Sequence, residues 1–190
     1  MAIPCLLVME LMRRILISIV MIMVAAFFLP GCSSDNKSFK IEKPVTLKQV
    51  NSDGKYVARA FLESIFNDDR EMFNKCYPDG FVDSLNNSSG SDLFSVYSQL
   101  TDINGSLSGT GYAGSKDYTI DNGFDESLMK SRICLTTGIE YSDVEKIQIQ
   151  KITARFVNSV ETVDSDFYFV VYKSGGNWYF LEFCKDDTGF

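Results

Sequence analysis

The chain has 190 residues, with 18 Lys and Arg against 25 Asp and Glu, and no His. A formal charge of −7 excludes a non-specific nucleic-acid binder, which needs clustered Lys and Arg to meet phosphates. The missing His excludes Ser-His-Asp and Cys-His nucleophile pairs, His-ligated zinc and imidazole proton shuttles, while 45% hydrophobic and 13% aromatic residues are enough for one cored domain.

The first element in chain order is a targeting segment. Arg13 and Arg14 precede an apolar run of 15 residues, Ile15 to Leu29, broken only by Ser18. That is short for a bilayer span of ~20 residues and has the layout of a secretory signal, with Met12, or Met9, as the start. The stretch Leu29-Pro30-Gly31-Cys32 resembles the lipobox of bacterial lipoproteins, with Pro30 where such motifs carry a small or β-branched residue. The resemblance implies diacylglyceryl transfer to the Cys32 sulfur and cleavage before it. It implies a place on the extracytoplasmic face of the cell membrane, with the lipid bilayer as a partner. Residues 1–31 are then a signal peptide, and 32–51 are the lipidated Cys and a flexible tether carrying Lys37, Lys40, Lys43 and Lys48. Residues 52–190 form a single domain. The mature chain of 159 residues keeps 16 basic and 24 acidic residues. Such a body is repelled by anionic headgroups, so the lipid is expected to do the membrane binding.

Helices come next. Ser52 or Asp53 can cap a helix whose Tyr56, Val57, Ala60, Phe61, Ser64 and Ile65 fall on one stripe. Asn67-Asp68-Asp69 breaks it and caps a short second helix with Met72, Phe73, Cys76 and Tyr77, ended by Pro78 and Gly80. Asn86 to Ser91 reads as a flexible loop. Leu93, Phe94, Tyr97 and Leu100 mark a third helix. Residues 101–123, rich in Gly, Ser, Thr and Asp, hold a short strand or hairpin. Residues 124–137 allow a helix with Gly138 as its stop.

The last third alternates as β-structure. Residues 144–156 carry Ile147, Ile149 and then Ile152 after a one-residue slip, read as a bulge at Gln150-Lys151. Residues 167–173 and 177–184 flank Gly175-Gly176, a two-residue hairpin turn. That register pairs Lys173 with Trp178, Val171 with Phe180 and Phe169 with Glu182, and leaves both hairpin faces apolar. Both must be covered, the second by a curl of the sheet, a homodimer partner or a ligand. The fold class is α+β, with N-terminal helices packed on a curved antiparallel sheet ending in an aromatic β-hairpin.

The opening helix YVARAFLESIFNDDREMF and the ending FYFVVYKSGGNWYFLEF resemble the nuclear-transport-factor-2-like superfamily, whose curved sheet forms a cone. The resemblance implies a concave pocket between helices and sheet, and frequent dimerisation. It carries no set of catalytic residues onto this chain.

Of the chemistry-bearing patterns, Gly109 to Gly114 match G-x-G-x-x-G without a following helix, and so read as a loop rather than a dinucleotide site. The acidic pairs Asp68-Asp69, Asp125-Glu126, Asp164 with Asp166, and Asp186-Asp187 lack calcium-loop spacing and read as caps and turns. No metal site, cofactor site or catalytic motif is assigned. Cys76, Cys134 and Cys184 read as small buried hydrophobes. The candidate ligand-binding residues are Glu182, Trp178, Phe169 and Phe180, a carboxylate among rings on one hairpin face, where burial raises its pKa. A structural partner for Glu182 would be Arg155 or Lys173. The expectation is an exported, lipid-anchored binding module of the cell envelope. Its partner is a small apolar ligand or peptide, a second copy, or an envelope protein. The competing readings are a pocket enzyme with Glu182 as base and Tyr168 or Tyr179 as donor, and a structural envelope scaffold.

Overall fold

The computed structural model describes residues 40–103, 111–120, 124–160 and 162–184. The described elements are α1 (Gly54–Phe66), α2 (Arg70–Lys75), α3 (Phe81–Ser89), α4 (Leu93–Ile103), β1 (Gly111–Ile120), α5 (Glu126–Thr137), β2 (Val144–Val157), β3 (Thr162–Ser174) and β4 (Asn177–Cys184). The strands form one antiparallel sheet in the order β1-β2-β3-β4, so the fold class is α+β. The lipobox and Cys32 lie outside the described residues, as do Gly109 and Thr110 of the glycine pattern. Gly111 to Gly114 lie in β1. Among the described residues no helix is long and apolar enough to cross a membrane.

α1 starts where Asp53 accepts the Lys55 N–H and lies across the sheet. Its Phe61 is the centre of the core. The ring stacks on Phe180 at 3.7 Å and 5° and meets Tyr97 edge-on at 5.1 Å. Phe73, Phe183 and Phe169 surround it at 5.5, 5.5 and 5.9 Å. Asp69 caps α2 by accepting the Met72 N–H. Its Phe73 and the following Cys76 and Tyr77 close the same core.

The segment read as a loop over Asn86–Ser91 is helical through Ser89. Left-handed Gly80 and Gly90 bound α3 on either side, and Asn86 Oδ1 accepts the Leu93 N–H at the start of α4. The polar run was therefore helix surface and a cap for the next helix, two roles that composition does not separate from loop.

β2 runs without a bulge at Gln150-Lys151. The apolar slip has another cause. Ile147 packs with Met129 and Ile133 of α5 on one face of the sheet, whereas Ile152, Ala154 and Phe156 pack on the α1 face. The α1 face is buried from Gln148 to Phe156, with Gln148 and Gln150 its polar members, whereas the α5 face is buried at Ile147 and Ile149 and no farther along the strand; the apolar residues change face where that second cover ends.

The turn residues Gly175 and Gly176 have φ of 57° and 80°, as a tight hairpin turn requires. Ser174, Lys173 and Val171 pair with Asn177, Trp178 and Phe180. A bulge then inserts Leu181, so that Val170 pairs with Glu182 and Phe169 with Phe183. The expected pairing of Phe169 with Glu182 is thereby corrected. The extra residue moves Phe183 into the aromatic core and takes the carboxylate out of it, which spares the cost of an unpaired buried charge. The second face of the hairpin is covered by α5: Met129 and Ile133 meet Val170, Tyr172 and Leu181.

Both sheet edges have company. The Glu42 N–H donates to Ser115 O on β1 at 3.1 Å, and the Phe180 N–H of β4 donates to Cys76 O at 2.8 Å. Residues 40–51, expected as free tether, are packed against the domain, with Val45 and Val50 buried.

Replacing Phe61 by Ala removes the ring that six others contact, Tyr77 at 6.3 Å among them. Urea denaturation of the Phe61→Ala variant is expected to show a loss of ~3–5 kcal/mol; a loss below about 1 kcal/mol would show that the core does not centre there.

Candidate functional site

The structure separates the four residues read as a ligand site. Phe169, Phe180 and Trp178 are buried on the α1 side of the sheet. Their rings meet helix side chains rather than an opening. The bulge places Glu182 on the other side, where its carboxylate is 3.4 Å from Arg132 of α5. The partners first considered for it are engaged elsewhere: Arg155 with Asp164 at 2.7 Å and Lys173 with Glu145 at 3.0 Å. The same bulge brings Glu182 onto the face that carries Tyr168 and Tyr179, which the unbulged register had opposite. Burial pushes the Glu182 carboxyl above its ordinary range, and Arg132 pulls it partly back.

A second polar centre lies under α1. Arg59 is 1% exposed, and its guanidinium gathers three segments. Nη1 donates to Glu42 Oε2 at 2.7 Å and lies 3.5 Å from Asp117 Oδ1 of β1. Nη2 donates to Lys43 O at 2.6 Å and to Glu63 Oε1, one turn along α1, at 3.2 Å. The other oxygen of Glu63 accepts the Val45 N–H at 2.9 Å. Burial raises the Glu63 carboxyl, opposed by the Val45 N–H and Arg59. The group is a clip: it holds residues 42–45 on α1 and β1. Sequence reading missed it. Its one signal was a charged pair at i and i+4, Arg59 and Glu63, inside the otherwise apolar run from Val57 to Ile65.

The third feature is the part of the sheet that α5 leaves uncovered. Tyr118, Lys151 and Tyr168 stand in one row across β1, β2 and β3, with Lys116, Thr153 and Asp166 in the next. Lys151 pairs with Asp166 at 2.7 Å, which also accepts from Thr153 Oγ1 at 2.6 Å. Tyr118 is 46% exposed. This face is polar and held by cross-strand pairs. An open groove of about 200 Å³ lies elsewhere, between α2 and the start of α3, lined by Glu71, Lys75, Asp79 and Asp83 among others. Among the described residues no group of carboxylates and thiols is set to hold a metal ion. Cys76 and Cys134 are free thiols; burial pushes that of Cys76 well up, so it is no nucleophile.

Comparison with known protein families, with curated proteins and with solved structures finds no match in any of the three.

Two predictions follow from the charged groups. In Arg59→Met the carboxylates of Glu63 and Asp117 lose their cation, and urea denaturation at pH 7 is expected to show a loss of ~3–5 kcal/mol. The double variant Arg59→Met/Glu63→Gln is expected to recover part of it; no recovery would mean that the loss is packing alone. For Glu182 the folded pKa lies above the unfolded 4.5. Its burial penalty is thus present in full above the raised value and is relieved as pH falls through it toward 4.5. Glu182→Gln is expected to keep the parent's thermal midpoint or raise it at pH 7, and to flatten its pH dependence below. A lower midpoint at pH 7 would mean that the pair with Arg132 outweighs the burial.

Proposed function

We propose that this chain is a lipid-anchored protein-binding module of the cell envelope, held at the extracytoplasmic face of the membrane through Cys32. The observation that carries the reading is the distribution of filled and open surface. Rings fill the space between α1 and the sheet, and the uncovered half of the sheet presents exposed Tyr118 beside cross-strand ion pairs. Tyrosine with satisfied polar neighbours is the composition of protein-contact surfaces. A small apolar ligand would instead need an open apolar cavity, and Trp178, Phe169 and Phe180 are packed against helices. The layout of a long opening helix across an antiparallel sheet supports membership of the nuclear-transport-factor-2-like superfamily, with its pocket space occupied by side chains.

The pocket-enzyme reading draws on one finding, the shared face of Glu182, Tyr168 and Tyr179. Arg132 beside the carboxylate favours a structural ion pair over a general base.

Anchoring is tested by the mass of the N-terminal peptide and by fractionation. The parent is expected to carry a diacylglyceryl group on Cys32 and to sediment with membranes, and the lipid is expected to be missing from Cys32→Ser. An unmodified Cys32 in the parent would overturn the anchor. Binding is tested with a photo-crosslinking residue at position 118 in the host. One discrete adduct with an envelope protein is expected there and none from position 75 in the groove; equal adducts from both would overturn the assignment of the face.

A further inference from the structure

We propose that residues 40–48 form a membrane-contact strip that binds the surface of an anionic lipid bilayer. The strip carries Lys40, Lys43 and Lys48, all exposed. It also carries two of the exposed large hydrophobic side chains, Ile41 at 40% and Leu47 at 38%. Its one acidic residue, Glu42, is engaged by Arg59 at 2.7 Å. Residues 49–190 hold 12 basic against 22 acidic residues. Positive charge is therefore concentrated on one short strip of an otherwise acidic protein.

The strip is fixed rather than loose. Val45 is buried, its N–H is held by Glu63, and the Glu42 N–H is held by Ser115 O. Gly114, at φ 140°, leaves room for Ile41, whose Cγ2 occupies the space that a Cβ there would need. The backbone that carries the exposed lysines is thus already ordered when it meets a surface. Lysines beside two apolar side chains match a headgroup layer over acyl chains. A soluble polyanion would use the lysines and leave the exposed parts of Ile41 and Leu47 uncontacted.

The inference rests on the Cys32 reading in one respect. Eight residue steps separate Cys32 from Lys40, a reach of at most about 28 Å, which keeps the strip at the bilayer. The two acyl chains on Cys32 suffice for attachment; the strip sets which side of the body lies against the bilayer.

The test uses the full chain reconstituted in phosphatidylcholine vesicles containing phosphatidylglycerol with a photoactivatable acyl chain. After irradiation, labelled residues are mapped by mass spectrometry. Within residues 40–190, label is expected in 40–48. It is expected to fall about tenfold or more in Lys40→Gln/Lys43→Gln/Lys48→Gln, and to fall as salt is raised from 0.1 to 0.5 M. These side chains are exposed, so the variant keeps its fold, read by circular dichroism. Label confined to residues 49–190, or unchanged in the triple variant, would overturn the proposal. So would a strip that takes no lipid label and binds soluble polyphosphate. The same digest reports the mass on Cys32. A labelled strip with an unmodified Cys32 would leave this inference standing and remove the anchor; a lipidated Cys32 with an unlabelled strip would do the reverse.

Discussion

A guanidinium placed in the interior sets the terms for the rest of this domain. Arg59 sits two residues before Phe61 on α1, so the helix that supplies the centre of the aromatic core also carries a full charge into it. Such a charge is tolerable only with carboxylates and carbonyls around it. Glu63 comes from the same helix, Asp117 from β1 and Glu42 from the chain before α1. Satisfying one side chain therefore fixes the strip at residues 42–45, the first sheet edge and α1 relative to one another. The strip in turn uses a backbone N–H to meet Ser115 O on that edge, which leaves less of the edge open to pairing with another chain. The Phe180 N–H of β4 is met in a similar way by Cys76 O. Asn51 adds its own side-chain amide, which donates to Trp178 O at 2.8 Å.

The sheet then divides its two faces between covers of different kinds. On the α1 side, rings from helices and strands interlock around Phe61, and each such pair adds about 0.5–1.5 kcal/mol beyond burial. On the other side a single helix, α5, covers only the end where Ile147, Tyr172 and Leu181 lie. Beyond its reach the side chains become Lys151, Thr153, Arg155, Asp164 and Asp166, paired across strands. The bulge at Leu181 belongs to this division. Without it Glu182 would point into the rings and Phe183 toward α5; with it each lies where its chemistry is satisfied.

How much of this was legible follows from the range of each signal. α1, α2 and α4 announce themselves through stripes and caps, which are local, and Gly138 stops α5 with a left-handed φ of 74°. The Gly175-Gly176 turn fixes the register next to it, but only as far as the bulge, because a bulge answers to what lies above the sheet. The apparent slip in β2 had the same origin: Ile149 to Ile152 records a change of cover, which a single strand cannot distinguish from an inserted residue. The Arg59 clip was invisible because Glu42 and Asp117 are 17 and 58 residues from it in sequence. Each was read by its neighbours, Glu42 as part of a tether and Asp117 as part of a short strand or hairpin. Glu182 was found as an unusual carboxylate, whereas Arg132, its partner, came from a helix whose position no periodicity could place.

The clip also changes what the acidic composition means. Averaged over residues 32–190, the charge argues for repulsion from an anionic surface. Charges farther from a surface than the screening length of about 10 Å are largely screened; within it, the nearest charges decide. By holding residues 42–45 on the body, Arg59 and Glu63 fix the backbone of a segment that carries three exposed lysines and two exposed apolar side chains, and Arg59 engages the segment's one carboxylate. The same contacts that close the fold beneath α1 thereby determine which charges the strip shows.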